Sequence, residues 1–245
     1  MDHDRWHGPT HEPNRRLVSP PSRPTAPATA TLVDAPLDLI EAQRSAFDWL
    51  VAHRRLIIDA ENVWRVPRLA IAGAIAWEAI ENPNYVIPKL IGCCRGVGPG
   101  KVHYKSKYVF GEGLPVAKQI EVAGYLPPQT IASRKRLLRS PEGAIQYIGA
   151  IMCAYADIGA QCGFPDLRTR RDLILTQPYH GVRRIGPLTE LDSWRGALLQ
   201  HKERGTSLRP ENPMYTWVNV RRNREFLEAA VGHCGDIVFD DAEAS

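Results

Sequence analysis

AIAGAIAWEAIENP, residues Ala70–Pro83, is the stretch whose reading decides the fold. Its apolar residues lie all round a helix, so the spacing predicts a helix enclosed on every side rather than one lying on a surface. Pro67 suits the first turn, where a missing N–H is no loss, and Asn82-Pro83 supplies a stop. Ala70, Ala72, Gly73, Ala74 and Ala76 are small enough to let neighbouring helices approach closely. Glu78 is the one carboxylate inside the run, while Glu81 reads as an exposed helix-end residue. Glu78 sits one turn above Ile71, Ala74 and Ile75, half-buried and near the carbonyl end of the helix dipole. Both effects disfavour its charged form, and a carboxylic acid that keeps its proton near neutral pH is what general-acid cleavage of a glycosidic bond requires. The competing reading is a structural glutamate paired with an arginine from another helix.

Working outward, apolar residues at Ile40, Phe47, Leu50, Val51, Leu56 and Ile57 give an amphipathic helix over 37–58 that leads into the central one. Residues 1–36, rich in Pro, Thr, Ala, Arg and His, read as a disordered leader without the apolar core of a secretory signal. His3, His7 and His11 lie there with no rigid scaffold to make them a metal site. Past Pro83, glycines at 92, 96, 98, 100, 111 and 113 suit loops or a small hairpin. Short helices follow over 114–123 and 127–138, then a strong one from Pro141 to Gly159, with Ser140 as N-cap and Pro141 at its first position. Further helices are expected over 171–177, ending before Pro178, and over 188–202 and 215–231. Trp194, Leu198, Leu199, Trp217, Val218, Phe226 and Leu227 are the packing residues of the last two. The domain is expected to run from 37 to 235, with an acidic tail over 236–245. The fold class is therefore mainly α.

A chain of 245 residues with 44% hydrophobic content can bury a sizeable core, and a formal charge of +4 leans towards anionic partners. No apolar run is long enough to span a membrane. The odd count of five cysteines, Cys93, Cys94, Cys153, Cys162 and Cys234, argues against a disulfide framework. A nucleophilic cysteine working with His103 or His180 has no activating context in the sequence. Gly96-Val97-Gly98-Pro99-Gly100-Lys101 invites a phosphate-loop reading, but no strand clearly precedes it and no Ser or Thr follows Lys101. Arg134 to Arg139 and Arg221, Arg222 and Arg224 read as solvated helix faces, since no nucleic-acid-binding module frames them.

The order of three further segments resembles the lysozyme-like superfamily, in particular goose-type lysozymes and soluble lytic transglycosylases. In that family a catalytic Glu near the end of a buried helix is followed by a glycine-rich segment ending in G-L-M-Q. Its counterpart here is Gly98-Pro99-Gly100-Lys101-Val102-His103, with His103 taken to stand for the Gln. A helix opening with Pro, matched from Ser140-Pro141 through Ala150, comes next. The A-Y-N-A-G turn is matched by Leu175-Thr176-Gln177-Pro178-Tyr179-His180-Gly181-Val182, with His180 for Asn. The resemblance covers residues 67–182. Lys105 stands where goose-type enzymes tend to place an acidic residue, and Glu112 and Glu121, each with a competing surface role, are the candidates for a second carboxylate.

The resemblance implies a lysozyme-like helical domain with additional C-terminal helices, acting as a peptidoglycan muramidase. Glu78 would be the general acid. Gly98, Gly100, His103 and Tyr179 would line the substrate site, and Tyr104, Tyr108 and Tyr147 would stack on sugar rings or pack in the wall. No metal or cofactor is implied. A wall-cleaving chain without a signal sequence would be made in the bacterial cytoplasm and exported as an effector, a toxin or a phage-type lysis protein. Its partners would be glycan strands, and an immunity protein or a secretion component. Two other classes stay open: a non-catalytic glycan- or protein-binding module with Glu78 as a buried ion, and a different toxin-type enzyme that depends on the basic loop and His103.

Overall fold

A computed structural model describes residues 41–80, 96–104, 114–169, 174–181, 190–206, 208 and 223–232, with the backbone alone at 42, 177, 180 and 181. The described chain is mostly helical: α1 (Glu41–Ala52), α2 (Arg54–Trp64), α3 (Arg68–Ile80), α4 (Val116–Val122), α5 (Ile131–Arg139), α6 (Pro141–Gln161), a 3-10 turn (Pro165–Arg168), α7 (Thr176–Gly181), α8 (Glu190–Glu203) and α9 (Arg224–Val231). The expected leader, the acidic tail and the segment holding Trp217 and Val218 lie outside the described residues. No helix among the described residues is long and apolar enough to cross a membrane.

Two helices are buried nearly all round. One is α3, the Ala-rich run, with Leu69 to Ala76 buried without a break. The other, α6, is the larger hub: it touches α2, α3, α4, α5, α7, α8 and the 3-10 turn. Its start follows the sequence signals, since the Ser140 hydroxyl accepts from the Gly143 amide at 3.1 Å and Pro141 opens the helix. Helix α3 contacts α1, α2, α6, α7 and α9. Its own N-terminus is capped from the preceding helix, where buried Glu61 accepts from the Arg68 amide at 2.8 Å and pairs with its guanidinium.

The single helix expected over 37–58 is two. His53 interrupts it, its ring Nδ1–H donating to the Trp49 carbonyl at 2.8 Å and the ring stacking on the Trp49 indole. The His53 amide donates to the Trp49 carbonyl and the His53 carbonyl accepts from the Ile57 amide, and α2 then runs on to Trp64 before a left-handed cap at Arg65 (φ 54°). Pro178 does not end a helix but sits within the first turn of α7, where its missing N–H has no helical partner to lose. Leu199, expected in the core, is 42% exposed, while Trp194, Leu198, Phe226 and Leu227 are buried. Trp194 fastens α8 to α6 by donating to the Tyr155 carbonyl at 3.0 Å.

A buried ion cluster joins the middle elements. Arg134 of α5 pairs with Glu121 of α4, its Nη2 donating to Oε2 at 2.7 Å. Tyr147 of α6 donates to the same carboxylate at 2.8 Å, and the Gln129 amide does so at 3.0 Å. Arg134 also donates to the carbonyls of Tyr104 and Gln129. Glu121 and Arg134 are thus core residues, each 3% exposed, and not the surface groups their charges suggest. Burial raises the Glu121 pKa, but hydrogen bonds from Arg134, Gln129 and Tyr147, with the charge of Arg134, outweigh it and hold the carboxyl below its ordinary value.

Removing one partner of such a pair leaves a charge buried without compensation. Arg134→Met is therefore expected to destabilise by about 3–5 kcal/mol, and Arg134→Met with Glu121→Gln by less than Arg134→Met alone, as read from urea midpoints. Because the folded pKa of Glu121 is depressed, its contribution is complete above the unfolded value of about 4.3 and is lost as pH falls through the folded value. Glu121→Gln should flatten the decline of the urea midpoint below about pH 4.3.

Candidate active site

Glu78 lies in the last turn of α3 and is 8% exposed, deeper than the half-burial its position suggests. Facing it is a tight turn. Val97 and Val102 exchange both backbone hydrogen bonds across a four-residue loop, at 2.9 and 3.1 Å, and the Lys101 amide closes the turn on the Gly98 carbonyl at 3.0 Å. This is the small hairpin that the glycine-rich segment suggests, reduced to one bridge.

The two glycines inside the turn are required by close approach. Gly98 has φ +77°, and a Cβ there would come 1.8 Å from the Leu138 carbonyl oxygen. A Cβ on Gly100 would come 2.5 Å from the Tyr179 hydroxyl oxygen and 2.6 Å from Ile148 Cδ1. The turn is thus wedged against the end of α5, the flank of α6 and helix α7, and the glycines serve packing where a phosphate loop would use them to bare its amides.

Tyr179 reaches in from α7 and donates to the Gly100 carbonyl at 2.8 Å. Burial raises its phenol well above the ordinary tyrosine value, and the charge of Glu78 and the neighbouring Tyr155 add to this, so the hydroxyl stays protonated and stays a donor. Lys101 completes the group. Its ammonium lies 3.2 Å from Glu78 Oε2 and donates to the Glu78 main-chain oxygen at 3.1 Å, at the negative end of the α3 dipole.

The structure therefore brings together Glu78, Gly98, Gly100 and Tyr179, from three separate segments, and adds Lys101. His103 follows on the strand leaving the turn, its carbonyl accepting from the Ala117 amide at 3.3 Å. Lys101, which the sequence reading does not place among the substrate-site residues, is the residue whose ammonium pairs with Glu78.

The other aromatic candidates part from the site. Tyr147 is 2% exposed and faces Glu121 in the ion cluster, which leaves it no ring face for a sugar. Tyr104 is buried too, its carbonyl held by Arg134 and its ring beneath the Lys135 ammonium at 5.8 Å. Glu121 is committed to Arg134 and so withdrawn from the role of second carboxylate. Cys153 is a free buried thiol that burial pushes up to about 11, with Arg168 opposing the rise and Asp157 adding to it; Cys162 is also raised by burial, against the charges of Arg195 and Lys202. Neither is an activated nucleophile. Glu81, Lys105, Tyr108, Glu112, Cys93, Cys94 and Cys234 lie outside the described residues, as does the side chain of His180.

Compared with protein-family models, curated proteins and solved structures, the chain matches none. The site is accordingly read from its own residues.

Gly100→Ala should force apart Tyr179 and Ile148 and destabilise by about 1–3 kcal/mol in urea unfolding. Gly98→Ala should cost more, since a main-chain oxygen cannot yield and the left-handed backbone adds strain. Gly196→Ala, in α8 with open space around it, is the control and should stabilise by up to about 1 kcal/mol.

Proposed function

We propose that this chain is a peptidoglycan-cleaving muramidase of lysozyme-like fold, with Glu78 as the general acid. The observation that carries the reading is convergence: a buried helix-end carboxylate is met by a glycine turn and a tyrosine from the segments whose order carries the family resemblance. In this reading Glu78 gives its proton to the glycosidic oxygen leaving C1 of N-acetylmuramic acid, and positive charge develops at that carbon. Water or the sugar's own 6-hydroxyl then attacks C1 and returns a proton to Glu78. With Glu121 engaged by Arg134, a hydrolytic outcome would need another carboxylate such as Glu112, whereas the intramolecular route to a 1,6-anhydro end needs none. The setting that fits is export to a cell wall or a target periplasm, with an immunity protein or a secretion component as the companion.

A second reading has its own support. The Lys101–Glu78 ion pair gives the carboxylate a structural partner, as a non-catalytic glycan- or protein-binding module would have.

Wild type and Glu78→Gln, both checked for fold by circular dichroism, are to be incubated with isolated peptidoglycan and the released fragments weighed by mass spectrometry. Wild type should release muropeptides, and Glu78→Gln should release them at least about a hundredfold more slowly. The mass of the new end separates a reducing sugar from an anhydro sugar. Absence of release from folded wild type would leave the binding module as the surviving account.

A further inference from the structure

Lys101 combines three features that folding alone does not explain. Its backbone lies in the left-handed region (φ 44°), where glycine is the ordinary occupant, and the only other described non-glycine residue there, Arg65, is a helix cap. Its position is fixed on both sides, by its own amide on the Gly98 carbonyl and by the bridge between Val97 and Val102. Its ammonium grips both the side chain and the main chain of one residue, Glu78. The lysine side chain is 35% exposed, so the ion pair returns little stability to set against the strained backbone.

We propose that Lys101 is a positioning residue of the site, a cation delivered by the turn to fix the direction and the charge state of the Glu78 carboxyl. Its role in cleavage rests on the muramidase reading. An ammonium donating to Oε2 keeps that oxygen's lone pair engaged, so the acidic proton of Glu78 resides on Oε1. Transfer of that proton to a leaving oxygen creates a carboxylate whose charge Lys101 already faces. The Tyr179 phenol also feels the Glu78 charge, with Tyr155 beside it, and neither of these phenols supplies a cation.

The test compares wild type with Lys101→Met, Lys101→Arg and Lys101→Gly, the last removing the backbone strain together with the ammonium so that a folded variant is available. Carbon-13 NMR follows the Glu78 carboxyl titration, assigned by its absence in Glu78→Gln, and a pH–rate profile is taken on peptidoglycan. Loss of the ammonium should move the carboxyl midpoint up by about one pH unit or more, while Lys101→Arg stays near wild type. The basic limb of kcat should rise by the same amount, kcat on the plateau should fall, and KM should change little. An unmoved midpoint in folded Lys101→Met or Lys101→Gly overturns the proposal, whether or not wild type cleaves. A moved midpoint in a wild type that releases nothing upholds the pairing and removes only the muramidase reading.

Discussion

The guanidinium of Arg134 is the group on which the middle of this structure depends. It is buried, it carries a charge, and its partners come from four places: the Glu121 carboxylate on α4, the Gln129 carbonyl before α5, the Tyr104 carbonyl beyond the glycine turn and, through the shared carboxylate, the Tyr147 hydroxyl on α6. A charge that has left water must be compensated, and here the compensation is assembled from elements that come from separate parts of the chain. The cluster therefore sets the register between helices that apolar contact alone would allow to slide. It also fixes where the chain leaves the turn that faces Glu78.

Apolar packing supplies the complementary constraint. Helices α3 and α6 are both enclosed, and the small residues of α3 let α1, α2, α6, α7 and α9 approach it from different sides. An enclosed helix can expose chemistry only at an end, and Glu78 stands at the C-terminal end of α3. There the Lys101 ammonium donates to the Glu78 main-chain carbonyl while it meets the carboxylate, so one side chain holds both the backbone and the acid of that residue.

What was legible in the sequence was local. The enclosed character of α3, the Ser140-Pro141 start of α6 and the special status of Glu78 each rest on residues within a turn or two of one another. What was not legible depends on partners far along the chain. Glu121 looks like a surface acid and Arg134 like part of a basic face, and only the fold brings these two residues, 13 positions apart, together in the core. Tyr147 looks equally suited to a cleft wall and to a core, and only the carboxylate opposite it decides. The break at His53 leaves no mark in the apolar periodicity, which runs through it, because it comes with a side chain competing at a backbone carbonyl. Lys101 gives no such signal in the sequence: a lysine after three spaced glycines invites a nucleotide loop, and only the packing of the turn carries its ammonium to Glu78.

The composition of the turn narrows what it can contribute. Gly98 and Gly100 have no side chains, and their Cα atoms are pressed against the Leu138 carbonyl and against Tyr179 and Ile148. Pro99 has neither a polar side chain nor an N–H. A backbone can enter a packed interior on these terms only if its polar groups find partners, and here the Gly98 carbonyl is taken by the Lys101 amide and the Gly100 carbonyl by Tyr179. Every residue of the loop except one is thus spent on fitting the turn between helices. The remaining residue carries all of its side-chain chemistry, and the left-handed backbone at Lys101 goes with placing that ammonium against Glu78.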